Sequence, residues 1–338
     1  MIKREDILII KFTATQKSGF FIDKFLILCY NNSMKIVKPN VEIVNTVVPG
    51  KKMEYAGRVC YCSFDKITDD SHEKFLTKIF NSCHLSIAEH ERLIVKIDLK
   101  KPFPYLMGID QSNHMKYFNI SNDEKNNCIY LSSNIRGWYE ATKNQPSDVG
   151  YYPLLKEVYP YLFTEDRKIT PAPDGAIERI SLSDVPKEFQ KFHDSKTFDI
   201  TCSRSASHQL VRHRSLSFSQ QSQRYVNFSK DKFGHNINFI LPDFTDRKEF
   251  SDKEIEKMNQ ALEANFRSAE ANYFCLIDDG LLPEDARAVL PNATATQIII
   301  TGTTSDWEGF IKLRSDTHAQ KEIRDISDTI KNYLKVEV

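Results

Sequence analysis

The 338-residue sequence carries no net charge, because 46 lysines and arginines balance 46 aspartates and glutamates. That balance excludes a global electrostatic pull toward nucleic acid or an anionic membrane, while leaving room for a local basic pocket. Long apolar runs are also lacking. The stretch from Phe20 to Tyr30 is broken by Asp23 and Lys24 and is too short to span a bilayer. The opening residues carry early acids, Glu5 and Asp6, and no small-residue cleavage site follows, so no signal peptide is expected. No tandem repeat of the solenoid kind occurs. The seven cysteines are odd in number and irregularly spaced, which predicts reduced thiols in a cytoplasmic protein rather than a disulfide framework. Cys60 and Cys62 form only a C-x-C, with no second pair at zinc spacing. His84, His90, His208 and His213 do not form a metal signature either, and no metal is expected.

What is present is an ordinary globular balance, 41% hydrophobic and 27% charged, in a chain long enough for a sizeable core. Residues 1–33 read as an N-terminal extension, and residues 34–338 as one domain with an irregular insertion at about 100–195. The insertion is rich in Pro, Asn and Tyr and includes the turn signal Thr170-Pro-Ala-Pro-Asp-Gly175. Helices are predicted over 69–82, 203–213, 251–279, 283–290, 306–313 and 317–334, and strands over 93–99, 197–201 and 237–241. Ser251-Asp-Lys-Glu254 is a capping box, and Gly280 can close the long helix that it opens. Without a β-α-β rhythm, this mixture points to an α+β fold. Trp138 and Trp307 are assigned to packing.

One segment concentrates chemistry: Gln209-Leu-Val-Arg212-His213-Arg214, then Ser217, Gln220, Gln221, Ser222, Gln223, Arg224 and Tyr225. On a helix, Gln209, Arg212 and His213 would share a face. The arginines, amides and hydroxyls form a donor-rich surface suited to phosphates and to the carbonyl edge of a base or flavin. By residue type alone, three readings stay open: a solvated surface, a nucleotide site, or a nucleic-acid backbone contact.

The spacing Arg212-His213-Arg214, seven residues, Ser222 resembles the R-H-R-x7-S signature of flavin-dependent thymidylate synthases. Other stretches agree, in family order. Ala56-Gly-Arg58-Val-Cys60-Tyr61 resembles A-A-R-V-S-(Y/F). Cys83-His84-Leu-Ser86-Ile-Ala-Glu89-His90 resembles G-H-x-(S/T)-x-x-E-H, with Cys83 at the glycine position. Ala286-Arg287-Ala-Val-Leu-Pro291 resembles A-R-x-x-L-P. Phe310 to Ile323, with Arg314, Asp316, His318 and Gln320, resembles F-L-x-L-R-x-D-x-H-A-Q-x-E-I.

The resemblance implies a thymidylate synthase-complementing protein fold with a mixed or antiparallel sheet and long helices, assembled as a homotetramer with sites shared between subunits. It implies methylation of dUMP to dTMP, with FAD as cofactor and NADPH and methylenetetrahydrofolate as co-substrates. By likeness, Gln209, Arg212, Gln220, Gln221, Ser222, Gln223, Arg224, Arg287 and Arg314 surround dUMP. Ser86, Arg212, His213, Arg214 and Gln220 line the FAD site, and His84 lies near folate or flavin. Arg314, assisted by Arg224, polarises the uracil, and Ser222 orients it. Neither a nucleic acid nor a membrane is an expected partner. None of the cysteines sits in a Pro-Cys context that would mark the nucleophilic thiolate of the other synthase class.

One departure stands out. The family's short N-x-R element has no counterpart in Thr301–Gly309, whereas the insertion carries Asn134-Ile-Arg136. Either Asn134 and Arg136 supply the missing FAD contacts, or they form a helix start packed within their own domain. Two alternatives to the synthase reading follow: a catalytically silent flavin or nucleotide binder, and the same scaffold acting on a related pyrimidine nucleotide.

Overall fold

Local chemistry sets several element boundaries in the computed structural model, which describes residues 7–9, 28–30, 34–101, 117–143, 150–165 and 172–336. The strands are β1 (Ile7–Ile9), β2 (Leu28–Tyr30), β3 (Lys35–Ile36), β4 (Asn40–Ile43), β5 (Arg92–Asp98), β6 (Phe118–Asp123), β7 (Cys128–Asn134), β8 (Ile177–Ile180), β9 (Lys196–Ser203), β10 (Ser217–Gln220), β11 (Asn238–Phe239) and β12 (Ala295–Gly302). The chain divides into two compact units. The first comprises 1–39, 202–205 and 222–296, and the second 40–201, 206–221 and 297–338. Most of the predicted extension, residues 1–33, lies outside the described residues, apart from the antiparallel pair β1–β2.

The first unit is built on the helix Asp252–Asp278. Ser251 accepts from the Glu254 amide, and the Glu254 carboxylate accepts from the Ser251 amide at 2.8 Å, which is the predicted capping box. Gly280, at φ 95°, ends the helix as predicted. The apolar face of the helix buries Phe266, Tyr273 and Phe274, with Phe266 stacked on Phe239 at 4.9 Å. The predicted strand 237–241 shortens to β11, a parallel pair with β3. The Ile240 amide turns to the Ala293 carbonyl instead.

The second unit contains two four-stranded sheets, ordered β10-β12-β9-β4 and β6-β7-β5-β8. In the first, Ile298, Ile299 and Ile300 on β12 are all fully buried. A strand flanked on both edges and covered on both faces shows a continuous apolar run instead of alternation. In the second sheet, Leu93, Val95 and Ile97 enter a core with Trp138, Tyr152 and Leu155, while Ile94 on the opposite face packs with Tyr130 and Val185. Trp138 and Trp307 are fully buried, as predicted for packing residues. Their indole N–H groups donate to the Leu93 and Lys196 carbonyls.

Several boundaries differ from the sequence expectation. The stretch 100–195, expected to be irregular, supplies β6, β7 and β8, which extend β5 into an antiparallel sheet. The helix predicted over 203–213 ends at Leu210. The amides of Arg212 and His213 reach back only three residues, to Gln209 and Leu210, as in a tight turn. The helix predicted from Asp306 begins at Thr304, because Asp306 is the third residue of a capping box whose cap is Thr303. The last helix starts at Lys321 rather than Thr317, after a turn in which the Asp316 carboxylate accepts from the His318 amide at 2.8 Å.

Candidate functional site

In the second unit, two of the matched segments converge. Arg314 occupies the last turn of the helix Thr304–Arg314. Its Nε donates to His213 Nε2 at 2.9 Å, and its Nη2 donates to the Gln209 carbonyl at 3.1 Å. Gln209 Nε2 also donates to Gln320 Oε1 at 2.5 Å. The His213 ring packs edge-on against Phe310 at 4.8 Å. Burial and the Arg314 charge push the His213 pKa down to about 4, so it is a neutral imidazole at pH 7. Nε2 accepts, which puts the remaining ring proton on Nδ1. The helix geometry expected for Gln209, Arg212 and His213 does not occur, because Arg212 and His213 lie in the turn beyond Leu210. That turn nevertheless directs His213 inward and leaves Arg212 and Arg214 exposed on either side of it.

The polar run that follows lies along β10. Gln220 Nε2 donates to Ser207 Oγ at 2.9 Å. The Gln221 amide donates to the Gln297 carbonyl at 2.8 Å, and Gln297 Nε2 donates to Asp199 Oδ2 at 2.7 Å. Tyr55 OH donates to the same carboxylate oxygen at 2.5 Å. Burial and this contact hold the Tyr55 hydroxyl protonated, well above the usual phenol range.

Ser222, Gln223, Arg224 and Arg287 belong to the first unit. Ser222 Oγ accepts from the amides of Arg224 and Tyr225 at 3.1 and 3.3 Å, so this hydroxyl shapes a turn. Arg224 lies over the Tyr225 ring at 4.5 Å and pairs with Glu284 at 3.3 Å. Arg287 Nε donates to the Glu284 carbonyl at 3.0 Å. The Gln223 amide nitrogen is buried with no hydrogen-bond partner among the described residues, a donor suited to an incoming carbonyl. Arg204, absent from the sequence-derived site, joins this group. Its pKa is lowered first by burial and then by the charge of Arg287. Its one sequence signal is its position at the end of β9, just upstream of Gln209.

The Cys83–His90 segment has a split role. Cys83, at the family's glycine position, has φ 57°, the left-handed region that glycine favours. His84 and Ser86 are exposed. His90 is fully buried, with Nδ1 and Nε2 each 2.8 Å from the hydroxyls of Thr301 and Ser219. It tethers this segment to β10 and β12, which is a structural task. Among the described residues, no group of His, Cys, Asp and Glu is arranged to hold a metal ion, and no helix is long and apolar enough to cross a membrane.

Asn134 and Arg136 form the helix start. Asn134 Oδ1 accepts from the Gly137 amide at 2.8 Å. The Arg136 guanidinium is held by Glu89 and Glu140, each at 2.7 Å. Thr301 and Thr303, in the stretch lacking N-x-R, are taken up by His90 and by the Asp306 capping box.

Residues 192–338 match the family described as thymidylate synthase complementing protein. A flavin-dependent thymidylate synthase of Geobacter sulfurreducens is 41% identical over 162 residues, covering 45% of this chain and 65% of the relative. The Pyrococcus furiosus flavin-dependent thymidylate synthase is 34% identical over 164 residues, covering 45% and 63%. The chain thus spans a little under two thirds of the length of these relatives. A UMP/dUMP methylase, PolB from Streptomyces cacaoi bound with 5-Br dUMP, aligns over 89% of this chain and 91% of its own at 16% identity, with a TM-score of 0.41 that is too low to carry an argument. Residues 192–338 are thus similar to the thymidylate synthase complementing protein family and to flavin-dependent thymidylate synthases.

Proposed function

We propose that the chain works as a flavin-dependent thymidylate synthase, methylating dUMP to dTMP, with methylenetetrahydrofolate as carbon donor and NADPH as reductant. The observation that carries this reading is the anchoring of Arg314 by His213 and by the Gln209 carbonyl. It joins the R-H-R segment to the closing L-R segment across 101 residues. Because His213 is neutral, it accepts from Arg314 without cancelling or repelling its charge.

In this reading a fixed guanidinium faces the uracil. A positive charge there favours loss of the ring N3 proton and stabilises charge developing on the carbonyl oxygens, which makes C5 nucleophilic. Arg314 does this work with Arg224 assisting, and Ser222 orients the base. Gln209, Arg212, Gln220, Gln221, Gln223 and Arg287 complete the dUMP contacts. Arg212 and Arg214 suit a phosphate-bearing cofactor, since both are exposed cations with no ion-pair partner among the described residues. With Ser86, His213 and Gln220 they would hold FAD, and His84 lies in the folate or flavin vicinity. FAD, when bound, supplies hydride transfer chemistry. The family fold, a homotetramer with shared sites, and a single domain bearing an extension at 1–33 and an insertion at about 100–195 belong to the same proposal.

A silent flavin or nucleotide binder is the second reading, favoured by the commitment of Thr301, Thr303 and Asp306 to structural contacts. Turnover separates the two. Purified protein is given dUMP, methylenetetrahydrofolate, NADPH and FAD, and dTMP is measured for wild type and Arg314→Ala. Product from wild type alone supports the synthase. A folded, flavin-bound protein that makes none refutes it.

A further inference from the structure

The second unit holds a cavity of about 260 Å³ that no matched motif lines. Apart from Pro49, its walls come from residues between 92 and 195, between the Glu89-His90 motif and the Gln209 segment. Its polar wall includes Arg92, Arg179, His193, Asp194 and Ser195. Ile94, Ile180 and Leu182 supply apolar surface.

Two polar groups there are incompletely satisfied. Arg92 Nη1 donates to Asn119 and Ser132 at 2.9 and 3.0 Å. Among the described residues, no carboxylate lies within ion-pair distance of this guanidinium, which is largely withdrawn from water. Burial lowers its pKa to about 10, and the charges of Asp306 and Asp194 oppose that only in part. A cation held this way is costly without an anion beside it. Ser195 Oγ is buried with no hydrogen-bond partner among the described residues, a second unmet demand in the same wall.

The remaining charges are already engaged. Arg179 pairs with Glu157 at 3.3 Å. Asp194 accepts from the Thr304 amide at 2.7 Å and lies 3.8 Å from Lys196 Nζ. The His193 ring nitrogens meet the hydroxyls of Ser132 and Ser121 at 2.8 and 2.9 Å. One positive charge is therefore left over, and a dianion would face Asp194. At about 30 Å³ per water-sized group, there is room for roughly nine non-hydrogen atoms.

We propose that this cavity binds a small amphiphilic monocarboxylate, with its carboxylate on Arg92 and Ser195 and its apolar body against Ile94, Ile180 and Leu182. Benzoate matches that size and polarity and serves as the probe. Calorimetric titration of the full-length protein should give saturable one-site binding. The neutral isostere benzamide and inorganic phosphate should both bind at least about tenfold more weakly, because the charge-assisted contact is lost in one and Asp194 repels the other. Ser195→Ala should weaken benzoate roughly three- to tenfold by removing one hydrogen bond. Arg92→Met should abolish binding. If that variant fails to fold, Leu182→Trp blocks the cavity from its partly exposed rim and should abolish binding in its place. Absence of saturable benzoate binding, tighter binding of phosphate or benzamide, or wild-type affinity in Leu182→Trp would each overturn the assignment.

Discussion

Replacing His90 with glutamine should make the second unit less sensitive to acid. His90 has no solvent exposure, and both ring nitrogens are engaged by hydroxyls. Burial, reinforced by the charge of Lys52, lowers its pKa from 6.5 to about 3. The folded pKa therefore lies below the unfolded one, and between the two values the unfolded chain takes up a proton that the folded chain refuses. The stability contributed by neutral His90 is full above pH 6.5 and is lost as pH falls toward 3. At pH 5, about 1.5 units below the unfolded pKa, the loss at about 1.36 kcal/mol per unit is about 2 kcal/mol. Glutamine can donate and accept at the same hydroxyls but does not titrate. Urea unfolding followed by tryptophan fluorescence at pH 8 and pH 5 measures the difference, since Trp138 and Trp307, the two tryptophans of the chain, lie in the same unit as His90. The loss between these pH values should be about 2 kcal/mol larger for wild type than for His90→Gln. Equal losses would refute the argument, whatever the absolute stabilities.

Three further outcomes follow from geometry. Cys83→Gly should stabilise the protein by about 1 kcal/mol in urea melts, because an exposed non-glycine residue at positive φ carries a steric penalty that glycine lacks. Gly57→Ala should destabilise by about 1–3 kcal/mol through overpacking, since the added Cβ would lie 2.6 Å from Phe75 Cζ and 2.7 Å from Ile87 Cδ1; a neutral melt would show that the helix Lys51–Tyr61 packs otherwise. Arg136→Ala should leave FAD affinity unchanged in a fluorescence titration, because the guanidinium is already held by Glu89 and Glu140; a weakened affinity would restore it as a substitute for the missing N-x-R.

Local rules read the helix ends best. The Ser251–Glu254 box and Gly280 were legible because a cap acts within one turn of the chain. The Thr303–Asp306 box carried the same kind of signal, but Asp306 by itself suggested a later start. β12 was harder to see. Ile298-Ile299-Ile300 is a short apolar run whose meaning depends on neighbours distant in sequence, β9 and β10. The sheet β6-β7-β5-β8 was hidden for the same reason, as a polar, proline-containing stretch becomes strand only when β5 is present to pair with it.

The sequence by itself determined which segments resemble the family's patterns, since R-H-R, A-R-x-x-L-P and L-R are local spacings of residue types. It also identified the one glycine position filled by cysteine, where the backbone confirms a positive φ. Only the tertiary structure decided how these residues are used. Folding kept Gln209 on the helix but moved Arg212 and His213 from the expected helix face into a turn, made His213 a neutral acceptor for Arg314, set Ser222 to shaping a turn and committed Arg136 to two carboxylates. It also brought Arg92 and Ser195, 103 residues apart, into one cavity. Hydrogen-bond partners and desolvation are properties of the packed neighbourhood, and no spacing along the chain encodes them.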